Sequence, residues 1–272
     1  MLFTKPDRVS IILSRHCEKM PGNLNKKPIK PMKKYFITTV TGFAAAMLLS
    51  VAAYSQTTQA PAAPAMTAEQ RTKADAEADK KAEEWVTSLA LNDKAKETEV
   101  KSLIATHLKT IRDWNNDHPA STVPAGINPA TGNPLSNLDR QVIAISAIPK
   151  NVHETLMTGL RKTLTEPQVE TILDKYTIGK VAFTLNGYKS IVPDLTPAEE
   201  RVIVDNLKKA REQAIDYKNM TQISAIFEIY KTKNEQYLNT HGRNWHDMFK
   251  AYTDAVKAKK AAAKATEAKP VQ

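Results

Sequence analysis

The sequence predicts an all-α protein, a single-domain bundle of six to eight helices that follows a signal peptide. Two observations carry this prediction. Apolar residues recur at intervals of three and four along most of the chain, which is the spacing of one buried helix face. Threonine is followed three residues later by glutamine or glutamate at residues 67–70, 165–168 and 196–199, which is the arrangement of a capping box at a helix start.

The first two helices are predicted over residues 67–90 and from residue 93 to about residue 115. The first is rich in Ala, Glu, Asp and Lys and gains an apolar face only near Trp85. The second carries a stripe at three- and four-residue steps, made of Val100, Leu103, Ile104, His107, Ile111 and Trp114. We interpret His107 as a histidine of the core or its edge. It cannot share a metal ion with His118, because about three helical turns, roughly 16 Å, separate the two.

A Pro- and Gly-rich stretch at residues 118–134 interrupts the helical pattern. Irregular segments of this length are often functional or disordered, and the sequence leaves open whether this one is functional or a plain surface excursion. A short apolar segment follows at residues 138–147. Pro149 then suits the first turn of the next helix.

Four more helices are predicted to start near Thr165, Thr196, residue 221 and Asn244, and Gly242 is expected to end the third of them. Residues 181–192 are ambiguous, because apolar residues alternate there and Asn186-Gly187 is a hairpin signal. A lone hairpin is only marginally stable and no partner strands are visible. We therefore favour a short helical turn.

The N-terminal region predicts export. Residues 32–55 have a basic head, an apolar stretch and a small-residue end, which is the layout of a signal peptide. We therefore expect five parts: a mis-assigned extension (1–31), the signal peptide (32–55), a flexible linker (56–66), the helical domain (67–254) and a Lys/Ala-rich tail (255–272). The apolar stretch is near the lower limit for a membrane span, but Ala53 and Ser55 fit a cleavage site. The predicted location is periplasmic or secreted.

The charge of +10 is unevenly distributed. Residues 1–55 hold 9 Lys/Arg and 2 Asp/Glu, and residues 255–272 hold five Lys and one Glu, so the body between them is close to neutral. A nucleic-acid-binding domain needs its positive charge on the folded face, and the sequence argues against that class. Cys17 lies upstream of the predicted cleavage site, so the mature chain would have no disulfide and no cysteine metal ligand.

Catalytic motifs are missing from the sequence. It has no phosphate-binding Gly-rich loop, no Gly-x-Ser-x-Gly elbow and no His-Glu-x-x-His pair. We therefore predict no catalytic residues, no metal site and no cofactor, with a hydrolase or lyase that uses Asp174 and Lys231 as a less favoured alternative. Aromatic and polar side chains at residues 174–188 and 230–237 suit sugar recognition, but tyrosine at a helix edge suits ordinary packing as well.

A spaced set of residues in the C-terminal half carries a resemblance to a known family. The set comprises Asp174, Thr177, Gly179, Thr184, Tyr188, Pro193-Asp194-Leu195-Thr196, Lys209-Ala210-Arg211, Ala214, Phe227, Tyr230-Lys231, Tyr237-Leu238 and Gly242. In these residues the chain resembles a secreted, bacterial, all-helical family of unknown function that is linked to sugar binding and to polysaccharide-degrading bacteria. The N-terminal half matches only in outline, at Leu91-Asn92-Asp93. Residues 232–236 depart from the family's Gly-Arg-Ile-Asn-Asn, which implies an altered activity if this run contacts a ligand.

A second resemblance is to small periplasmic stress chaperones that carry a Leu-Thr-x-x-Gln signature. Leu164-Thr165 with Gln168 matches it, and Leu195-Thr196 with Glu199 is close to it. A capping box preceded by an apolar residue produces the same letters. A chaperone-like or envelope interaction protein is therefore the alternative to a binding module.

The sequence-based hypothesis is an exported, non-enzymatic protein that binds a glycan or oligosaccharide. The predicted ligand-binding residues are Asp174, Thr177, Tyr188, Tyr230, Lys231 and Asn234. They form one groove only if the segment from Asp174 to Tyr188 folds over the face of the later helix that carries Tyr230 and Asn234. Lys231 is then expected to pair with Asp174 or to bind a uronic acid. No nucleic-acid partner and no membrane span after cleavage are expected; the oligomeric state stays open.

Overall fold

The computed structural model describes residues 66–129 and 131–267. Within them the all-α prediction is confirmed, and the described residues form nine α-helices and one 3-10 turn, Ala120–Thr122. The helices are α1 Ala68–Thr87, α2 Lys94–Asp117, α3 Asn137–Ser146, α4 Lys150–Thr163, α5 Glu166–Thr177, α6 Lys180–Ile191, α7 Pro197–Ala214, α8 Met220–Thr240 and α9 Trp245–Glu267. The signal peptide, the linker up to residue 65 and the end of the tail lie outside the described residues. No helix in the described part is long and apolar enough to cross a bilayer.

The predicted helix starts are confirmed by their hydrogen bonds. Glu199 N–H donates to the Thr196 hydroxyl at 3.3 Å, and Thr196 N–H donates to the Glu199 carboxylate at 2.8 Å. Thr165 N–H donates to Gln168 Oε1 at 3.0 Å. These bonds satisfy backbone donors that a helix start leaves without partners. The letters shared with the chaperone signature thus have a local structural role.

Glu199 also connects the start of α7 to the turn between α8 and α9. Arg243 donates to Glu199 through Nε at 2.9 Å and to Asp194 through Nη1 at 2.8 Å. These contacts lower the pKa of Glu199 to about 2, chiefly through the hydrogen bond from Arg243. Gly242, with φ +88°, ends α8 as predicted.

The ambiguous segment forms a complete helix of 12 residues rather than a short turn. Ile178 and Gly179, with φ +53° and +62°, separate α5 from α6. Val181 and Tyr188, seven residues apart, are buried on one face of α6. This is a helical spacing, whereas an alternation would place the two residues on opposite faces. The hairpin signal Asn186-Gly187 lies inside the helix. Together with the separate helix α3, this raises the number of helices above the predicted range.

Two hydrophobic cores fill the bundle. The first core is formed by α1, α2, α4 and α5, and includes Ile104, Leu160 and Ile172. The second core is formed by α3 and α6 to α9, and includes Leu207 and Phe227. The chain passes between them just after α7, where Ile215 belongs to the first core and Tyr217 to the second.

The irregular stretch at residues 118–134 runs over the surface and is hydrogen-bonded to α3. Asn128 is buried and its N–H donates to the carbonyl of Asn133 at 2.7 Å. Arg140 of α3 donates through Nε to the carbonyl of Val123 at 2.9 Å. These hydrogen bonds explain how this Pro-rich connection has a defined backbone conformation.

Candidate functional site

Three of the six residues predicted to bind a ligand are part of the interior. Thr177, Tyr188 and Asn234 are 0 %, 2 % and 0 % exposed. The Tyr188 hydroxyl donates to the carbonyl of Lys231 at 3.2 Å, and burial raises the pKa of that hydroxyl. Asn234 accepts a hydrogen bond from Asn206 at 2.7 Å. Tyr188 and Asn234 hold α6, α7 and α8 together, and a ligand could reach the three buried side chains only after the helices separated.

The other three predicted residues have partners different from those expected. Asp174 pairs with Arg211 of α7 at 2.7 Å, and Lys231 pairs with Glu228 on its own helix at 3.2 Å. The Tyr230 hydroxyl donates to Gln213 at 3.1 Å. The expected Asp174–Lys231 pair is therefore wrong, because Arg211 takes the Asp174 carboxylate. Tyr188 does contact Lys231, but its hydroxyl bonds to the backbone carbonyl of Lys231 and not to the lysine side chain.

A cluster that the sequence reasoning missed lies between the two cores. Asp216, 4 % exposed, has its Oδ1 3.2 Å from His107 Nε2 and its Oδ2 3.0 Å from His153 Nδ1. The Tyr176 hydroxyl lies 3.2 Å from the other nitrogen of His107, Nδ1. A carboxylate only accepts hydrogen bonds, so His107 Nε2 carries a proton and Nδ1 accepts the Tyr176 hydroxyl.

Within this cluster, Asp216 and His153 form a buried ion pair. Burial opposes the charge on His153, but hydrogen bonds with Asp216 and Glu212 outweigh it and raise its pKa to about 9. Burial likewise opposes the charge on Asp216, yet the hydrogen bonds from His107 and His153 keep its pKa below the ordinary value. His153 is therefore an imidazolium at neutral pH.

The cluster is closed to ligands. Tyr176 is 7 % exposed and its ring packs edge-on against Trp85, with 4.7 Å between centroids. Burial and the charge of Asp216 raise the pKa of the Tyr176 hydroxyl well above its usual range. No group of three or more possible metal ligands occurs among the described residues. The prediction that His107 belongs to the core is confirmed, and the cluster's role is to join helices.

An open groove of about 440 Å³ lies between α1 and α2. It is lined by charged and hydroxyl side chains over a small apolar floor: Asp79, Glu83, Val86, Thr87, Lys94, Glu97, Thr98, Lys101, Ser102, Ala105, Thr106 and Lys109. Its volume is in the range of small-molecule sites. The sequence reasoning missed it because these residues look like the solvated faces of two helices.

Three ion pairs balance the charge of the groove. Lys101 lies 2.8 Å from Glu83, Lys109 lies 2.7 Å from Asp79, and Lys94 lies 3.2 Å from Glu97. The first two pairs connect α2 to α1, so the walls of the groove are positioned by both helices. With three lysines and three carboxylates, the groove presents donors and acceptors without net charge.

Comparison with known families gives a family and no activity. Residues 75–258 match a family that is described as Protein of unknown function (DUF3826). The match covers both cores and therefore extends well beyond the C-terminal residues that carried the sequence resemblance. No curated protein matches the chain significantly.

Proposed function

The chain belongs to the DUF3826 family of unknown function, and we propose that it is an exported, non-enzymatic protein that binds a neutral glycan or oligosaccharide in the groove between α1 and α2. The observation that carries this proposal is the charge-balanced, hydroxyl-lined groove of about 440 Å³. A role in polysaccharide utilisation follows from the same proposal. The site differs from the one that the sequence suggested around Tyr188.

The chemistry of the groove fits a sugar. Each lysine–carboxylate pair places an N–H donor next to an oxygen acceptor, and neighbouring sugar hydroxyls both donate and accept. The Lys101–Glu83 pair is half exposed, and solvent screens ion pairs of this kind so that they contribute little to stability. A ligand hydroxyl can therefore displace one partner at little cost.

The charge balance argues for a neutral ligand. An acidic sugar would need a lysine without a carboxylate partner, and the three groove lysines are all paired. The uronic-acid clamp expected at Lys231 loses its support as well, because Lys231 pairs with Glu228.

The chaperone alternative has less support. The exposed large apolar residues are spread over the described part of the chain: Ile127, Ile178, Phe183, Met220 and Tyr252. A surface for unfolded clients needs a contiguous apolar patch larger than a few hundred Å². Only Ile178 and Phe183 are neighbours in the sequence.

Binding is tested with Lys101→Met. Calorimetric titration with neutral hexasaccharides of glucose, xylose and mannose should give binding by the unchanged protein. Lys101→Met removes one charged hydrogen-bond donor and should weaken the binding of these hexasaccharides by about tenfold or more. The control is Lys250→Met, which removes a lysine paired with Asp254 at 2.8 Å on α9, outside the groove. Equal affinity of Lys101→Met and Lys250→Met, or no binding of any neutral hexasaccharide, would contradict the proposal.

Export is tested by sequencing the N-terminus of the protein recovered from outside the cytoplasm. Cleavage after Ser55 should give a chain that begins at Gln56. Removal of residues 1–31 should leave export unchanged, since Lys33 and Lys34 remain as the basic head. A recovered protein that still begins at Met1 would contradict the signal-peptide prediction.

A further inference from the structure

The last helix continues beyond the part of it that packs on the bundle. Trp245, Met248 and Phe249 of α9 contact the second core. Burial is described as far as residue 262, and within that range Val256 is the last partly buried residue. From residue 257 to residue 262 every side chain is exposed, while the helix runs on to Glu267. We call residues 257–267 the arm. By helix rise it is about 16 Å long.

The arm is basic, and two of its lysines form no ion pair with a described residue. It contains Lys257, Lys259, Lys260 and Lys264, against Glu267. Lys259 and Lys260 form no ion pair with any described residue, and Lys257 lies 3.8 Å from Asp254, which Lys250 already holds at 2.8 Å. The rest of the mature chain is close to neutral, so the arm is a local concentration of positive charge.

The composition of the arm indicates what kind of partner it fits. After Val256 the helix contains only Lys and Ala, apart from Thr266 and Glu267. A helix that lies in a bilayer surface needs a large apolar face with Leu, Phe or Trp, and the arm has none. A row of lysines without such a face instead complements a hydrated, linear anion.

We propose that the arm is a docking site for an acidic polysaccharide. The choice of a polysaccharide rests on the proposed export, whereas the choice of an anion rests on the charge of the arm. The family match ends at residue 258, so nearly all of the arm lies outside the matched region. None of the residues that line the groove belongs to the arm, and we expect the two sites to bind independently. The arm holds the protein at an anionic polymer, and the groove binds a neutral chain.

The experiment measures the affinity of the full mature chain for polygalacturonate at low and at moderate salt. The test variant replaces Lys257, Lys259 and Lys260 with glutamate. Because each lysine attracts an anionic surface, the replacement of three should weaken binding by about hundredfold or more at low salt. Affinity of the unchanged protein should fall steeply as salt rises.

The matched control replaces three exposed lysines of the bundle, Lys73, Lys80 and Lys150, with glutamate, which changes the net charge equally. It should retain most of the affinity. Equal losses in the two triple variants would overturn the arm as the docking site. The same measurement is made with vesicles rich in phosphatidylglycerol and with duplex DNA at the same salt. If the protein bound either of them more tightly than polygalacturonate, the partner of the arm would not be a polysaccharide.

The two sets of variants distinguish a failure of the arm proposal from a failure of the groove proposal. The arm variant should bind neutral hexasaccharides as the unchanged protein does, and Lys101→Met should keep its affinity for polygalacturonate. A variant of the arm that lost neutral-sugar binding as well would show that the two sites are one, which contradicts this proposal.

Discussion

Asp216→Asn is expected to lower the free energy of unfolding by about 3–5 kcal/mol at pH 7, the usual effect of removing one partner from a buried ion pair. The substitution keeps the size of the side chain but leaves the His153 imidazolium without its buried carboxylate. It also leaves the two imidazoles one amide oxygen in place of two carboxylate oxygens, and brings an N–H₂ donor close to them. Urea unfolding followed by circular dichroism measures the change.

The pH dependence of stability gives this prediction a second readout. The pKa of His153 is raised from 6.5 to about 9, so its contribution to stability is complete below pH 6.5 and is lost as the pH rises through 9. The pKa of Asp216 is lowered, so its contribution is complete above pH 3.8 and is lost as the pH falls through the folded value. Asp216→Asn should flatten most of the decline between pH 6.5 and 9.

Asp254→Asn is the matched control for Asp216→Asn. Asp254 also pairs with two basic side chains, but it is exposed on α9. Solvent screens exposed pairs, so Asp254→Asn should change stability little. If Asp216→Asn were no more destabilising than Asp254→Asn, the cluster between the cores would not stabilise the fold.

Tyr188→Ala is expected to cost about 3–5 kcal/mol, the range for truncating a large aromatic side chain in a core. Tyr188 packs against Trp245, with 5.2 Å between ring centroids, inside the second core. Tyr188→Phe removes only the hydrogen bond to the Lys231 carbonyl and should cost about 1 kcal/mol. Thermal and urea unfolding of both variants measure the difference.

The Tyr188→Phe variant also separates the two hypotheses about the site. The groove between α1 and α2 does not contain residue 188, so binding of neutral hexasaccharides should be unchanged. If Tyr188→Phe remained folded and lost sugar binding, the site suggested by the sequence would be restored and the groove would be the wrong location.

The features that could be predicted from the sequence are those that depend on residues close together in the chain. The helix starts at Thr165 and Thr196 follow from side chains three residues apart, and the stripe from Val100 to Ile111 follows from helical spacing. The length of α6 was underestimated, because Asn186-Gly187 is a turn signal locally. The packing of Val181 and Tyr188 into the second core overrides it.

The candidate site was less predictable for a physical reason. Periodicity indicates which face of a helix is apolar, but Tyr188 and Asn234 are amphipathic and fit either a groove or a core. Their burial is decided by the neighbours that α7 and α9 supply. In the same way, Asp174 faces Arg211 rather than Lys231 because α7 contacts both α5 and α8.

By itself the sequence determined the helical class, most helix starts and the uneven charge along the chain, because these depend on residues that are close in the chain. Only the tertiary structure decided which side chains meet. His107 and His153 reach Asp216 across 109 and 63 residues of chain, and the groove exists only where α1 packs on α2. Burial and charge pairing arise between segments distant in sequence, and no local pattern encodes them.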